Sequence, residues 1–168
     1  MTALWRALAV LLGGLLRLRR GPQDMPHSPT LLVLLLVPYA ALGSVLALAA
    51  LPAARALWYG PAETALMAAL VYGVLAVRGH RGRFVQTLSA LALVGSFFNA
   101  LSVPLTALAQ PGNGIGLLIL AVLMWSFVVS VHVLRQALEV PIPAAVLVNL
   151  GFFFVAYTTL GHLFGLID

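Results

Sequence analysis

Five long apolar stretches, four of them free of Asp, Glu, Lys and Arg, limit what this chain can fold into more than any other feature. They run from about Thr30 to Ala50, Pro61 to Val77, Phe84 to Leu108, Ile115 to Leu134 and Ala144 to Leu166. Crossing a hydrocarbon core of ~30 Å takes about 20 helical residues. In lipid the backbone must also satisfy its own hydrogen bonds, which a helix does without a partner. The pattern predicts an all-α membrane protein with five transmembrane helices. Composition agrees, since 62% of the 168 residues are apolar and 8% charged, far from the balance of a soluble domain.

The first twenty residues predict something different. Their uninterrupted apolar run, Ala7 to Leu16, is ten residues long, about half of what a span needs. On a helical wheel Leu4, Leu8, Leu11, Leu15 and Leu18 share one face, while Arg6, Gly13, Arg17 and Arg20 gather opposite. That is the pattern of an amphipathic helix lying in the membrane interface with its arginines toward anionic headgroups. A cleaved signal peptide is the rival, but Arg17, Arg19 and Arg20 stand where its small-residue cleavage site would be. Gly21 and Pro22 end the helix and open a polar linker, residues 21–29, that carries three prolines. Residues 1–29 are thus expected to form the interfacial helix and linker, and 30–168 the transmembrane domain.

The basic residues are nine arginines, with no lysine. A net charge of +5 in a soluble protein would point to nucleic acid, but these arginines sit in short clusters between spans, where they set topology. With the N-terminus in the cytoplasm, Arg6, Arg17, Arg19, Arg20, Arg78, Arg81, Arg83 and Arg135 lie inside and Arg55 alone lies outside, which puts the C-terminus in the periplasm. No nucleic-acid partner is expected. Ala, Leu and Arg richness without lysine resembles the coding bias of a GC-rich bacterium, hence an inner-membrane location. The absence of cysteine closes off disulfide, thiolate-metal and cysteine-nucleophile chemistry.

Chemistry-bearing residues inside the spans are few. Asn99 shares a helical stripe with Ser96, Ser102 and Thr106, and such a stripe should face another helix and hydrogen-bond across it. Asn149 in the last span is the natural partner. His132 lies near the cytoplasmic end of the fourth span, without a second histidine at metal-ligand spacing or a nearby carboxylate, and reads as a boundary histidine among headgroups. Pro61 suits a first helical turn, which places Glu63 at the mouth of the second span rather than inside it. With Glu63 and Asp168 at span ends, and Asp24 and Glu139 in connections, no acid is expected at depth, which weighs against ion-coupled transport. Nucleophile-elbow, Walker and dinucleotide-binding patterns are absent from the sequence, so no catalytic residue, cofactor or metal is expected. Gly112-x-x-x-Gly116 and Gly161-x-x-x-Gly165 are read as intramolecular packing or coincidence.

The layout of a basic amphipathic segment followed by five closely spaced spans resembles the bacterial members of the Yip1 family. The likeness is strongest in Trp125-Ser126-Phe127-Val128-Val129-Ser130-Val131-His132-Val133-Leu134 and in Pro143-Ala144-Ala145-Val146, a tryptophan in span four and an alanine-led final span. The long acidic or proline-rich extension of the family's eukaryotic members is missing. What the resemblance implies is a non-enzymatic integral membrane factor. The expected role is a scaffold, adaptor or accessory subunit of a larger membrane assembly. Its partners would be the phospholipid membrane and another integral membrane protein or a second copy of itself. Arg17, Arg19, Arg20, Arg78, Arg81 and Arg83 would offer a cytoplasmic basic face, and Ser96, Asn99, Ser102, His132 and Asn149 the intramembrane polar contacts. The alternative is a small homo-oligomeric transporter or lipid-handling protein.

Overall fold

A computed structural model describes residues 2–167, with side chains from Trp5 onward. The Leu4 side chain and Asp168, both used above, lie outside the described residues. The described chain is all helix and connection: α1 (Thr2–Leu16), α2 (Pro29–Ala47), α3 (Ala53–Val77), α4 (Phe84–Leu108), α5 (Ile115–Leu138) and α6 (Ile142–Phe164), with short 3-10 turns at Pro22–Asp24 and Arg81–Arg83. Helices α2 to α6 are the five spans, each long and apolar enough to cross a bilayer.

α4 begins and ends where its sequence predicts, but α3 and α5 do not. The segment Ala53–Gly60, expected as a loop, is the first two turns of α3, so Pro61 lies inside the helix rather than at its start. A proline there leaves the carbonyl four residues back without its amide donor. That carbonyl is Leu57 O, and Ser44 of α2 donates its hydroxyl to it at 3.1 Å while accepting the Gly60 N–H at 3.2 Å. The neighbouring helix thus supplies the hydrogen bond that proline removed, as lipid cannot. The same crossing needs Gly60, because a Cβ there would collide with the Ala40 carbonyl oxygen.

α5 continues through Arg135 to Leu138, past its expected end at Leu134. Arg135 stands in the last turn, where a cation favours the helix's negative end, and Glu139 closes the helix in the left-handed conformation (φ 53°) before Pro141. At the opposite end of the bundle Arg55 donates to Phe164 O at 3.3 Å and so caps the C-terminus of α6. This gives the one arginine at that end a structural task.

α1 is the expected short N-terminal helix, but its apolar face is covered by protein where the membrane interface was its expected cover. Leu8, Leu11 and Leu15 are buried in the main core with Leu31, Leu88 and Leu138, so the apolar face rests on protein, chiefly α4 and α5. Trp5 and Val10 are left exposed on its other side. A second, smaller core at the far end joins Ala47, Ala56, Leu160 and Phe164.

Candidate functional site

The extension of α3 moves Glu63 from a span's mouth to its interior. Glu63 stands ten residues after Ala53 and fourteen before Val77. It accepts a hydrogen bond at 3.1 Å from the Tyr39 hydroxyl, and Tyr39 stands ten residues after Pro29 and eight before Ala47. At about 1.5 Å of rise per residue both helices put the pair ~12 Å or more from either end. The expectation that no acid lies at depth is therefore overturned. The sequence signal that misled is Pro61, which reads as a helix start when no neighbouring Ser44 is visible.

Glycines make room for the pair. Tyr39 is buried, and its ring lies over Gly95 of α4, where a Cβ would come within 2.5 Å of the ring edge. Gly43 of α2 leaves space for the second oxygen of Glu63, since a Cβ there would come within 2.8 Å of it.

Two cavities meet at Glu63. One, of about 300 Å³, lies at the arginine-poor end between α2, α3 and α4 and reaches Asn99, Tyr59 and Leu166. Ala50 and Leu166 on its wall are exposed and mark its mouth. The other, of about 140 Å³, is bounded mainly by α3, α5 and α6, and Ser130, Asn149, Phe152 and Phe153 share its lining with Glu63. Its lining is mostly apolar, and Phe153, 46% exposed, stands at its open side.

The polar residues singled out from sequence divide between these places. Asn99 lines the outer cavity and Asn149, 4% exposed, the inner cleft. The two amides approach Glu63 from different sides and are not hydrogen-bonded to each other. Asn149 instead points its amide at Phe127 O at 3.5 Å, a long contact. Ser96 donates to Ala92 O and Thr106 to Ser102 O, both within α4, so the expected stripe of interhelical bonds is replaced by bonds back to the helix's own carbonyls. Ser102 is half-buried on the same helix.

His132 belongs to neither cavity. Its Nε2 lies 2.9 Å from Arg20 O and 2.8 Å from Gln136 Nε2, and the tautomer decides which of the two it bonds. It is half-buried against protein rather than set among headgroups, and with the proton on Nε2 it ties the segment after α1 to α5.

The arginines expected to form one basic face are sorted by the fold. Arg17, Arg19, Arg78 and Arg81 are exposed, and Arg20 is half-buried with its backbone carbonyl against His132. Arg83 is engaged: its guanidinium donates to Ala137 O at 3.2 Å and pairs with Glu139. That hydrogen bond and charge hold the Glu139 carboxyl below the usual glutamate range, with the charges of His80 and Arg78 adding in the same direction. A carboxylate with a depressed folded pKa contributes stability above its unfolded pKa, about 4.3, and loses it as pH falls through the folded value. Glu139→Gln is thus expected to lower the thermal midpoint slightly at neutral pH. The gap between variant and wild type should close below about pH 4; a gap that persists there, measured by scanning fluorimetry, would show that the pairing is not its origin.

Five spans and a carboxyl at mid-depth define a multi-pass α-helical membrane protein with an intramembrane ionisable site. Beyond that class, no protein-family model, no curated protein and no solved structure matches the chain.

Proposed function

We propose that the chain is a small, non-enzymatic transporter of the bacterial inner membrane that works through Glu63, exchanging a proton against a solute. The observation that carries this reading is the carboxyl at mid-depth, hydrogen-bonded to Tyr39 and facing a cavity on either side. A charged group at the bilayer centre costs roughly 2.5–3.5 kcal/mol on the insertion scale. Gln would hold the same Tyr39 hydrogen bond without that cost, so a helix contact alone gives no reason for an acid. Taking up and releasing a proton or cation does. The N-terminus is assigned to the cytoplasm and the C-terminus to the periplasm on the positive-inside rule. The clustering of Arg17, Arg19, Arg78 and Arg81 at one end of the bundle supports that assignment.

A second reading has its own support. Cavities of about 140 and 300 Å³ are small for a carrier of one copy, and the exposed arginines offer phospholipid or an acidic partner a basic surface. Both features suit a homo-oligomer, or a scaffold, adaptor or accessory subunit of a larger assembly. Membership of the bacterial Yip1 family is likewise proposed, on the order of a packed amphipathic helix and five spans and on Trp125 and Ala144-Ala145 in the last two.

Reconstitution into liposomes carrying an interior pH dye separates the readings. Dissipation of an imposed pH gradient, started by adding a counter-solute from a panel of organic cations, anions and sugars and faster than in protein-free liposomes, is the expected result. No flux, together with a stoichiometric membrane-protein partner on mild extraction, would overturn transport in favour of the accessory role.

A further inference from the structure

The transport reading leaves the solute unnamed, and the inner cleft narrows its chemistry. Beside Glu63 its lining holds the aromatic residues Tyr39, Phe152 and Phe153, and Ser130 and Asn149 add a hydroxyl and an amide to the phenol of Tyr39. Among the described residues no arginine or histidine lines it, so an anion finds no counter-charge. A polyol or sugar needs more hydrogen-bonding groups than two hydroxyls, one of them already bonded to Glu63, an amide and a carboxyl supply. A bare metal cation prefers a shell of about six oxygens, and most of this lining is carbon. One carboxylate among aromatic faces suits an ammonium group carrying apolar substituents.

The place of entry agrees. α3 and α6 touch at the arginine-poor end through Tyr59 and Phe164, whose ring centroids lie 5.2 Å apart. Deeper in the bundle both helices line the cleft, with Phe153 exposed at its lip. At that depth exposure is to acyl chains. The amine of a phospholipid stays at the interface, about 15 Å from the bilayer centre, whereas a lipophilic cation dissolved in the bilayer arrives at the level of Glu63.

We propose that this cleft binds a small lipophilic organic cation, a protonated or quaternary amine, which enters sideways from the bilayer and displaces a proton from Glu63. The proton leaves by the outer cavity past Asn99, so one positive charge replaces another at the carboxyl. Among the described residues the titratable groups facing Glu63 are the phenols of Tyr39 from α2 and Tyr59 from its own helix. α4, α5 and α6 present the neutral Asn99, Ser130 and Asn149. Glu63 is thus the group that exchanges its proton.

The test is calorimetric binding of benzyltrimethylammonium to the full chain in nanodiscs, beside its uncharged carbon isostere. The cation is expected to bind with release of one proton, its affinity rising by up to about tenfold per pH unit while Glu63 holds that proton. The isostere and the Glu63→Gln variant should show no specific binding. Phe153→Leu, which changes a side chain facing lipid and leaves the fold intact, should weaken binding about three- to tenfold. Equal binding of the isostere, undiminished binding to Glu63→Gln, or binding without dependence on pH would each overturn the inference. Because it rests on the transport reading, the two must fail separately. Glu63-dependent proton flux with no binding of the cation sinks the ligand class and leaves transport standing; binding with no flux sinks transport and leaves the site.

Discussion

Replacing Gly60 by leucine is expected to deprive the chain of its fold. At this position α2 and α3 cross so closely that even a methyl group would collide with the Ala40 carbonyl oxygen and crowd Ser44. Backbone cannot swing aside as a side chain can, so the helices must separate. Separation also removes the Ser44 hydroxyl from Leu57 O, which Pro61 has already left without a donor. It pulls Tyr39 from Glu63 as well. Overpacking alone costs on the order of 3 kcal/mol, and an unsatisfied carbonyl in lipid adds several more. Fluorescence-detected size-exclusion chromatography after mild extraction should show the monodisperse peak lost for Gly60→Leu. Gly73→Leu is the control on the same helix, since a Cβ there meets nothing within 4 Å. A normal peak from both variants would mean that the crossing is looser than described.

Glu63→Gln is expected to separate function from stability. The amide oxygen can still accept from Tyr39, and the side chain keeps its volume, so packing around Gly43 and Gly95 is undisturbed. What disappears is a group that can ionise inside the membrane. Proton flux should fall to the rate of protein-free liposomes while the thermal midpoint holds or rises, because relieving a buried ionisable group stabilises by ~1 kcal/mol or more. The opposite pattern, flux retained and stability lost, would make Glu63 a structural acid and return the chain to the accessory-subunit reading. Gains in stability at the expense of function are what a working site gives when it is neutralised.

The differences between sequence reading and structure share one cause. A local pattern reveals what a residue prefers, and the structure differs where a distant residue satisfies a different preference. Pro61 reads as a helix start because its missing N–H is harmless there; Ser44, seventeen positions earlier, makes it harmless inside the helix as well. Glu63 moved to mid-depth with it, and the candidate site moved too. Asn99 and Asn149 were identifiable from their depth in apolar runs, but nothing local could reveal that they flank a carboxyl instead of each other. Leu8, Leu11 and Leu15 announced an apolar face, and a wheel cannot distinguish lipid from protein as its cover. The hydroxyls of Ser96 and Thr106 had acceptors four residues back in their own helix, a bond that helical spacing always offers.

By itself the sequence determined the solvent, the number of spans and the sharing of arginines between the two ends. These follow from hydrophobic transfer and from the cost of charge in hydrocarbon, which add up residue by residue along the chain. Packing between helices sets where α3 begins, what covers α1, and that Tyr39, Glu63, Ser130 and Asn149 from four helices share one cleft. Those depend on directional bonds and close approaches between residues far apart in sequence, which no additive property of the chain contains.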